Sequence, residues 1–104
     1  MAADPMTMAV LWQSRWLSVI RTSSGEEVIR TSDAVLVIAT DEAGQLLLLE
    51  EPAPAFEARS LFLPGGAVEA GEDVLAAAQR ELRGETGFAA DNLTRIGCFR
   101  SWSK

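Results

Sequence analysis

The chain has 104 residues, with 9 Lys and Arg against 15 Asp and Glu, a formal net charge of −6 and 48% hydrophobic residues. This length and composition are typical of one small globular domain with a buried core. The absence of histidine excludes sites in which histidine activates a serine or cysteine, and zinc sites with a histidine ligand. The single cysteine, Cys98, excludes an intramolecular disulfide, so a bound metal is expected to be a hard cation held by oxygen atoms.

The charge balance and the hydropathy pattern limit the possible partners. An acidic chain lacks the basic surface that binds nucleic-acid polymers, but a divalent cation could join its carboxylates to a phosphorylated small molecule. Uninterrupted apolar runs such as those at 34–39 and 46–49 are far too short to span a membrane. Because no Lys or Arg precedes the mildly apolar start at 1–11, we expect no secretory signal and a cytoplasmic location.

The N-terminal part of the chain predicts strands joined by turns. A roughly alternating pattern over 12–22, followed by turn residues and a second strand at 27–31, predicts a hairpin. The β-branched run at 34–40 predicts a strand that is covered on both faces. Turn residues at 41–44 lead into a further strand at 45–50.

The strands of the second half are shorter. Two prolines predict a loop over 51–60, and 61–63 is expected to be a short apolar strand that runs into Pro64-Gly65-Gly66. A last strand is predicted at 93–100, inside which Cys98 is expected to be a buried and unreactive thiol.

One helix is expected between these strands. After an acidic loop at 67–72, a helix is predicted over about 73–85, with Asp73 complementing its dipole and Gly87 supplying a left-handed C-terminal cap. With one helix and a majority of strands, the chain is predicted to belong to the α+β class.

Two glutamates on this helix are the first candidates for chemistry. Glu81 and Glu85 lie one turn apart on one face, where like charges repel unless a divalent cation lies between them. The close backbone approach that Gly65-Gly66 permits could add a carbonyl ligand. Arg80 could orient one of the carboxylates or pair instead with Glu72. The alternative, on the two glutamates alone, is an ordinary solvated acidic face.

The combination of these residues is far more specific than any one of them. Residues 66–88 read GAVEAGEDVLAAAQRELRGETGF, which closely resembles the Nudix box, G-x5-E-x7-R-E-U-x-E-E-x-G-U, where U is a bulky apolar residue. The matching positions are Gly66, Glu72, Arg80, Glu81, Leu82, Glu85, Gly87 and Phe88. One position departs from the pattern, because Gly84 stands where the family has the first glutamate of its pair. In relatives, that carboxylate commonly joins the metal cluster.

The resemblance implies a fold and a reaction. The fold would be a Nudix-type α/β/α sandwich with a mixed sheet, in which the box forms a loop–helix–loop that holds Mg²⁺ or Mn²⁺. The reaction would be metal-dependent hydrolysis of a nucleoside diphosphate linked to another moiety. The metal ligands would be Glu81, Glu85 and the Gly65 carbonyl. Arg80 would orient these ligands and Glu72 would support the loop; no general base is assigned, since in several relatives it lies in a later loop.

The N-terminal half loosely resembles ADP-ribose-pyrophosphatase-like members, which suggests ADP-ribose or a nucleotide sugar as the substrate. In that branch an early hairpin often contributes to a homodimer, so the hairpin at about 12–31 is the expected interface. The proline motif that marks the branch is not found after the box, where Ser101-Trp102-Ser103 stands. Nudix domains usually continue with further strands and a second helix. The chain is therefore expected to be a single domain, 1–104, that lacks the C-terminal part or has its sheet completed by a partner.

Two functions stay open from the sequence. The first is the pyrophosphohydrolase; the alternative is a catalytically impaired Nudix-fold module that binds nucleotides or a protein partner, which Gly84 favours. The tryptophans add little to this choice, because Trp12, Trp16 and Trp102 are expected in a core or an interface more often than stacked on a nucleobase.

Overall fold

The computed structural model describes residues 8–100, which fall into two units that divide between Asp33 and Ala34. Strands dominate both, and one α-helix lies in the second unit. The α+β class that the sequence predicts is therefore confirmed. Within residues 8–100, every strand pairing is antiparallel and no second α-helix is present. The parallel pairings and second helical layer of a complete sandwich therefore do not lie in this range.

The first unit is a three-stranded antiparallel sheet in the order β1-β2-β3. Its strands are β1 (Met8–Gln13), β2 (Leu17–Thr22) and β3 (Glu27–Thr31). The prediction of one strand over 12–22 is wrong, because the chain reverses between β1 and β2. There the hydroxyl of Ser14 accepts hydrogen bonds from the backbone N–H groups of Trp16 and Leu17, at 3.1 and 3.2 Å. A serine that bonds to nearby backbone in this way favours a turn over a continuing strand.

The second unit contains two antiparallel strand pairs. Strands β4 (Ala34–Leu36) and β7 (Gly65–Ala67) form one pair, and β5 (Leu49–Ala53) and β6 (Ala58–Phe62) form the other. The strand predicted at 34–40 is shorter than expected. Beyond Leu36 the backbone makes separate contacts, which are a hydrogen bond from the Val37 N–H to the Pro64 carbonyl at 2.7 Å and an isolated bridge between Thr40 and Leu46. The segment is also covered on one face only. Val35 and Val37 are buried, whereas Leu36 and Ile38 on the opposite face are exposed.

The prediction of a loop over 51–60 is wrong. Strand β5 pairs with β6 on either side of a short 3₁₀ turn, Pro54–Phe56, and Pro52 lies within the strand opposite Arg59. Proline is tolerated at such a position because the strand belongs to a two-stranded sheet, in which one edge needs no backbone donor. The strand predicted at 45–50 correspondingly begins later, at Leu49.

The helix prediction is confirmed, as α1 (Val74–Thr86). The Asp73 carboxylate accepts a hydrogen bond from the backbone N–H of Ala76 at 3.1 Å and so caps the N-terminus. Gly87 closes the C-terminus in a left-handed conformation (φ 78°) that favours glycine. The buried face of the helix packs against β4 and the residue after it, forming a core of Val35, Val37, Ala77, Ala78 and Leu82. No helix in the described range is long and apolar enough to cross a membrane.

The side chain of Gln79 on the helix forms two hydrogen bonds with the segment that follows the helix. The Gln79 amide donates to the Ala90 carbonyl at 2.9 Å and accepts from the Ala90 N–H at 2.8 Å. The strand predicted at 93–100 is not formed, because no described strand pairs with this segment. Phe99 is consequently exposed, and so is Cys98, which corrects the expectation of a buried thiol.

Candidate active site

Arg80, at the middle of α1, connects the loop before the helix to the helix itself. Its guanidinium donates to both carboxylate oxygens of Glu72, at 2.9 Å each, and to Glu81 Oε1 at 2.8 Å. It also donates to the Ala67 carbonyl at 2.9 Å. The sequence left two alternatives for Arg80, pairing with Glu72 or orienting a helix carboxylate, and the structure combines them. A two-point guanidinium–carboxylate contact is among the strongest hydrogen-bonded pairs, so the loop is held in one position.

Glu72 is the acceptor that fixes this loop. Besides Arg80, its carboxylate accepts the backbone N–H of Glu69 at 3.0 Å. The hydrogen bonds from Arg80, and then from the Glu69 backbone, lower the pKa of Glu72 from 4.5 to about 2. The same contact with Glu72 raises the pKa of Arg80 further above its ordinary value. Glu72 is therefore ionised throughout the neutral range and serves as a permanent anchor.

This lowered pKa predicts a specific dependence of stability on pH. A carboxyl whose pKa is lower in the folded protein stabilises the fold above its unfolded pKa, and that contribution is lost as pH falls through the folded pKa. Wild type should therefore be more stable than Glu72→Gln at pH 7, and the difference should shrink between pH 4.5 and about 2. Urea unfolding at a series of pH values measures it. Glu69→Gln, an exposed carboxylate of the same loop, is the matched control, and a wild-type advantage over Glu72→Gln that does not change with pH would contradict the prediction.

Strand β7 brings the two helix glutamates to one place. Glu85 Oε1 accepts the backbone N–H of Gly65 at 2.8 Å. A Cβ built on Gly66 would lie only 2.5 to 2.7 Å from the carboxylate atoms of Glu81, so the absence of a side chain there leaves room for that carboxylate. The sequence predicted Gly65 as a carbonyl ligand, and the contact that the structure shows is made by its amide; the carbonyl role stays a prediction.

Two contributors to the site were not foreseen. The Ala67 carbonyl could not be found from the sequence, because a backbone acceptor has no residue-type signal. Gly66 was expected to let the backbone approach closely, but its spacing from Glu81 gave no sign that these two residues would be in contact. Both lie on β7, next to Gly65.

The donor set suits a hard divalent cation but is small. Glu81 and Glu85 are partly buried, and each has one carboxylate oxygen in a hydrogen bond and one without a described hydrogen bond. Among residues 8–100, no group of three or more His, Cys, Asp or Glu side chains is arranged to hold a metal. Mg²⁺ is commonly held by one or two carboxylates together with substrate phosphates, so these residues fit such an ion as a partial ligand set.

Two tryptophans, Trp12 and Trp16, lie far from these carboxylates in the sequence and are exposed. Trp12 and Trp16 expose 56% and 64% of their surface, which corrects the expectation that they lie in the core; an interface or a stacking role stays a prediction. The Arg15 guanidinium lies 4.8 Å from the centre of the Trp16 ring, beside a shallow cavity of about 300 Å³ on the N-terminal sheet. Trp102 lies outside the described residues.

Comparison with known proteins assigns the class. The NUDIX domain family matches residues 30–104, which is more than half of the chain, and the chain therefore belongs to the Nudix family. Members of this family generally use divalent metal ions. The resemblance of residues 66–88 to the Nudix box is thus confirmed at the level of the family.

One solved structure of similar fold indicates which members of the family the chain resembles. The crystal structure of an ADP compounds hydrolase is 28% identical to the chain, with a TM-score of 0.63. The match covers 86% of this chain and 53% of that one, so the chain spans about half the length of the solved relative. No curated protein sequence matches the chain. The branch that the N-terminal half resembles agrees with this structural neighbour.

Proposed function

We propose that the chain is a divalent-cation-dependent pyrophosphohydrolase that cleaves a nucleoside diphosphate linked to another moiety. The observation that carries the proposal is that Arg80 donates hydrogen bonds to both Glu72 and Glu81, while Glu85 accepts one from the Gly65 amide. ADP-ribose or a nucleotide sugar is the proposed substrate class, a choice that the name of the similar ADP compounds hydrolase supports. Mg²⁺ or Mn²⁺ is the proposed ion.

The chain's own residues prepare the site for such a ligand. When bound, a divalent cation supplies neutralisation of the diphosphate charge and a water molecule of lowered pKa. Arg80 holds the Glu81 carboxylate in one orientation, and the Gly65 amide does the same for Glu85. Because both carboxylates are already ordered, less conformational entropy is lost when they bind.

A hydrolysis screen tests the proposal. The full-length gene product is incubated with Mg²⁺ or Mn²⁺ and with ADP-ribose, nucleotide sugars, dinucleoside polyphosphates or nucleoside triphosphates. We expect metal-dependent release of a nucleoside monophosphate from ADP-ribose or a nucleotide sugar. If no compound of any of these classes is hydrolysed, the enzyme proposal is overturned.

A second candidate is a catalytically impaired Nudix-fold module that binds nucleotides or a protein partner. Gly84 and the lack of a third acidic ligand within residues 8–100 favour it. It predicts that the non-hydrolysable analogue α,β-methylene-ADP binds while the whole substrate screen shows no turnover. Detectable hydrolysis in the screen would exclude it.

We also propose that the protein is a cytoplasmic homodimer whose interface includes residues of about 12–31, a range that spans the end of β1 and all of β2 and β3. The exposed ring of Trp16 supports this, because large aromatic side chains are enriched in interfaces. Nucleic-acid polymers and membranes are not proposed as partners, on the strength of the acidic composition and the short apolar runs.

Trp16→Glu is expected to shift the dimer toward monomer, because it places a charge in an apolar interface. Sedimentation velocity at micromolar concentration measures the mass. Phe56→Glu, at an aromatic residue that is 80% exposed on a different hairpin, is the matched control and should leave the mass unchanged. A stable 11.2 kDa monomer for the wild-type chain would contradict the prediction.

A further inference from the structure

Gly84 lies inside helix α1, where no neighbouring atom requires a residue without a side chain. A Cβ built on it meets nothing within 4 Å, so the surrounding space is open. Glycine inside a helix costs about 1 kcal/mol relative to alanine, and here no close neighbour accounts for that cost. Gly84 lies three residues after Glu81, so a side chain at this position would be beside Glu81 on the helix surface.

Two carboxylates, those of Glu81 and Glu85, lie close to Gly84 along the helix, and each already has one oxygen in a hydrogen bond. One oxygen of Glu81 accepts from Arg80, and one oxygen of Glu85 accepts from Gly65. No third acidic side chain within residues 8–100 joins them in a metal-binding arrangement. A strongly hydrated ion such as Mg²⁺ gives up its water reluctantly, and two carboxylates provide limited charge to hold it. The diphosphate of a ligand is the remaining source of negative oxygen ligands.

We propose that, because position 84 is glycine, this chain binds its divalent cation and the diphosphate of its ligand together, and binds each of them weakly alone. This inference rests on the proposed function for the nature of the ligand. Reciprocity follows from thermodynamic linkage: the cation raises the affinity for the diphosphate by the same factor as the diphosphate raises the affinity for the cation. A carboxylate at position 84 would supply part of the missing charge and so reduce this coupling.

The test is a set of calorimetric titrations with Mn²⁺ alone, with α,β-methylene-ADP alone in EDTA, and with the two premixed as a complex. For wild type, the complex should bind at least about tenfold more tightly than either component, within the usual range of coupling between sites. Gly84→Glu should bind Mn²⁺ alone about tenfold more tightly than wild type. The gain that the analogue adds to Mn²⁺ binding should be smaller in this variant.

Gly84→Gln is the matched control, since it has the same length and a similar helix propensity but no charge. It should bind Mn²⁺ as weakly as wild type. Equal tightening by Gln and Glu would overturn the inference, because the effect would then come from helix stabilisation. Tight binding of Mn²⁺ alone by wild type would overturn it as well. Circular dichroism checks that both variants are folded, and the open space at Gly84 means that both should be.

These titrations separate the inference from the proposed function. Strong coupling in wild type together with no turnover in the substrate screen would support the inference and overturn the hydrolase proposal. Turnover together with independent binding of Mn²⁺ and the analogue would support the hydrolase proposal and overturn the inference.

Discussion

Glu85→Gln and Glu81→Gln are each expected to lower kcat/KM by about a hundredfold or more. A bound cation supplies several kcal/mol of transition-state stabilisation, and each substitution removes one of the two charges that we propose hold it. These substitutions should remove the charge without disturbing the local structure, because a glutamine oxygen can still accept the hydrogen bond from Gly65 or from Arg80. Steady-state kinetics on the substrate found in the screen, with a Mn²⁺ titration of each variant, measures the effect.

Glu42→Gln is the control for these two variants, since it removes an exposed carboxylate in the turn at 41–44. It should retain wild-type kinetics. Metal affinity at the wild-type level in both helix variants would show that the cation is held elsewhere.

Gly65→Ala is expected to reduce the free energy of unfolding by about 3 kcal/mol, near the upper end for overpacking in a close-packed structure. Its Cβ would lie 2.2 Å from the carbonyl oxygen of Val35, and that oxygen cannot move without disturbing the β4–β7 pair. Urea unfolding measures the loss. Gly84→Ala is the matched control: it has open space and should stabilise the protein by about 1 kcal/mol. Wild-type stability in Gly65→Ala would mean that β4 and β7 can separate at little cost.

The features that could be predicted from the sequence are those set by neighbours along the chain. Helix α1 was found because its cap residues, Asp73 and Gly87, act within one turn of its ends. The turn at 41–44 is equally local, since the Asp41 carboxylate accepts from the backbone of Ala43 and Gln45 at 2.9 Å each.

The strands were predicted less well, because a strand depends on a partner that is often far away in the sequence. Pro52 indicates a loop until its position on an edge is known, and the apolar residues of 93–100 indicate a strand although no described partner is present. Local composition does not carry this information.

The candidate site shows the same division. Motif spacing made candidates of four residues that the structure brings together, Glu72, Arg80, Glu81 and Glu85, since the positions of the box recur at fixed intervals. It could not say that Arg80 joins two of these carboxylates at once, or that Glu85 meets an amide. Those contacts depend on how β7 passes the helix, which is a property of the folded chain.

The two-way contact between Gln79 and Ala90 has a consequence for exchange of backbone hydrogens with solvent. Ala90 lies outside every helix and strand, yet its N–H is bonded to a side chain and the residue packs against the core. Its amide should therefore exchange with deuterium slowly, on the timescale set by opening of α1, while the amides of exposed residues 94–100 exchange fast. Slow exchange would thus extend past the end of the helix to Ala90, because of one glutamine amide.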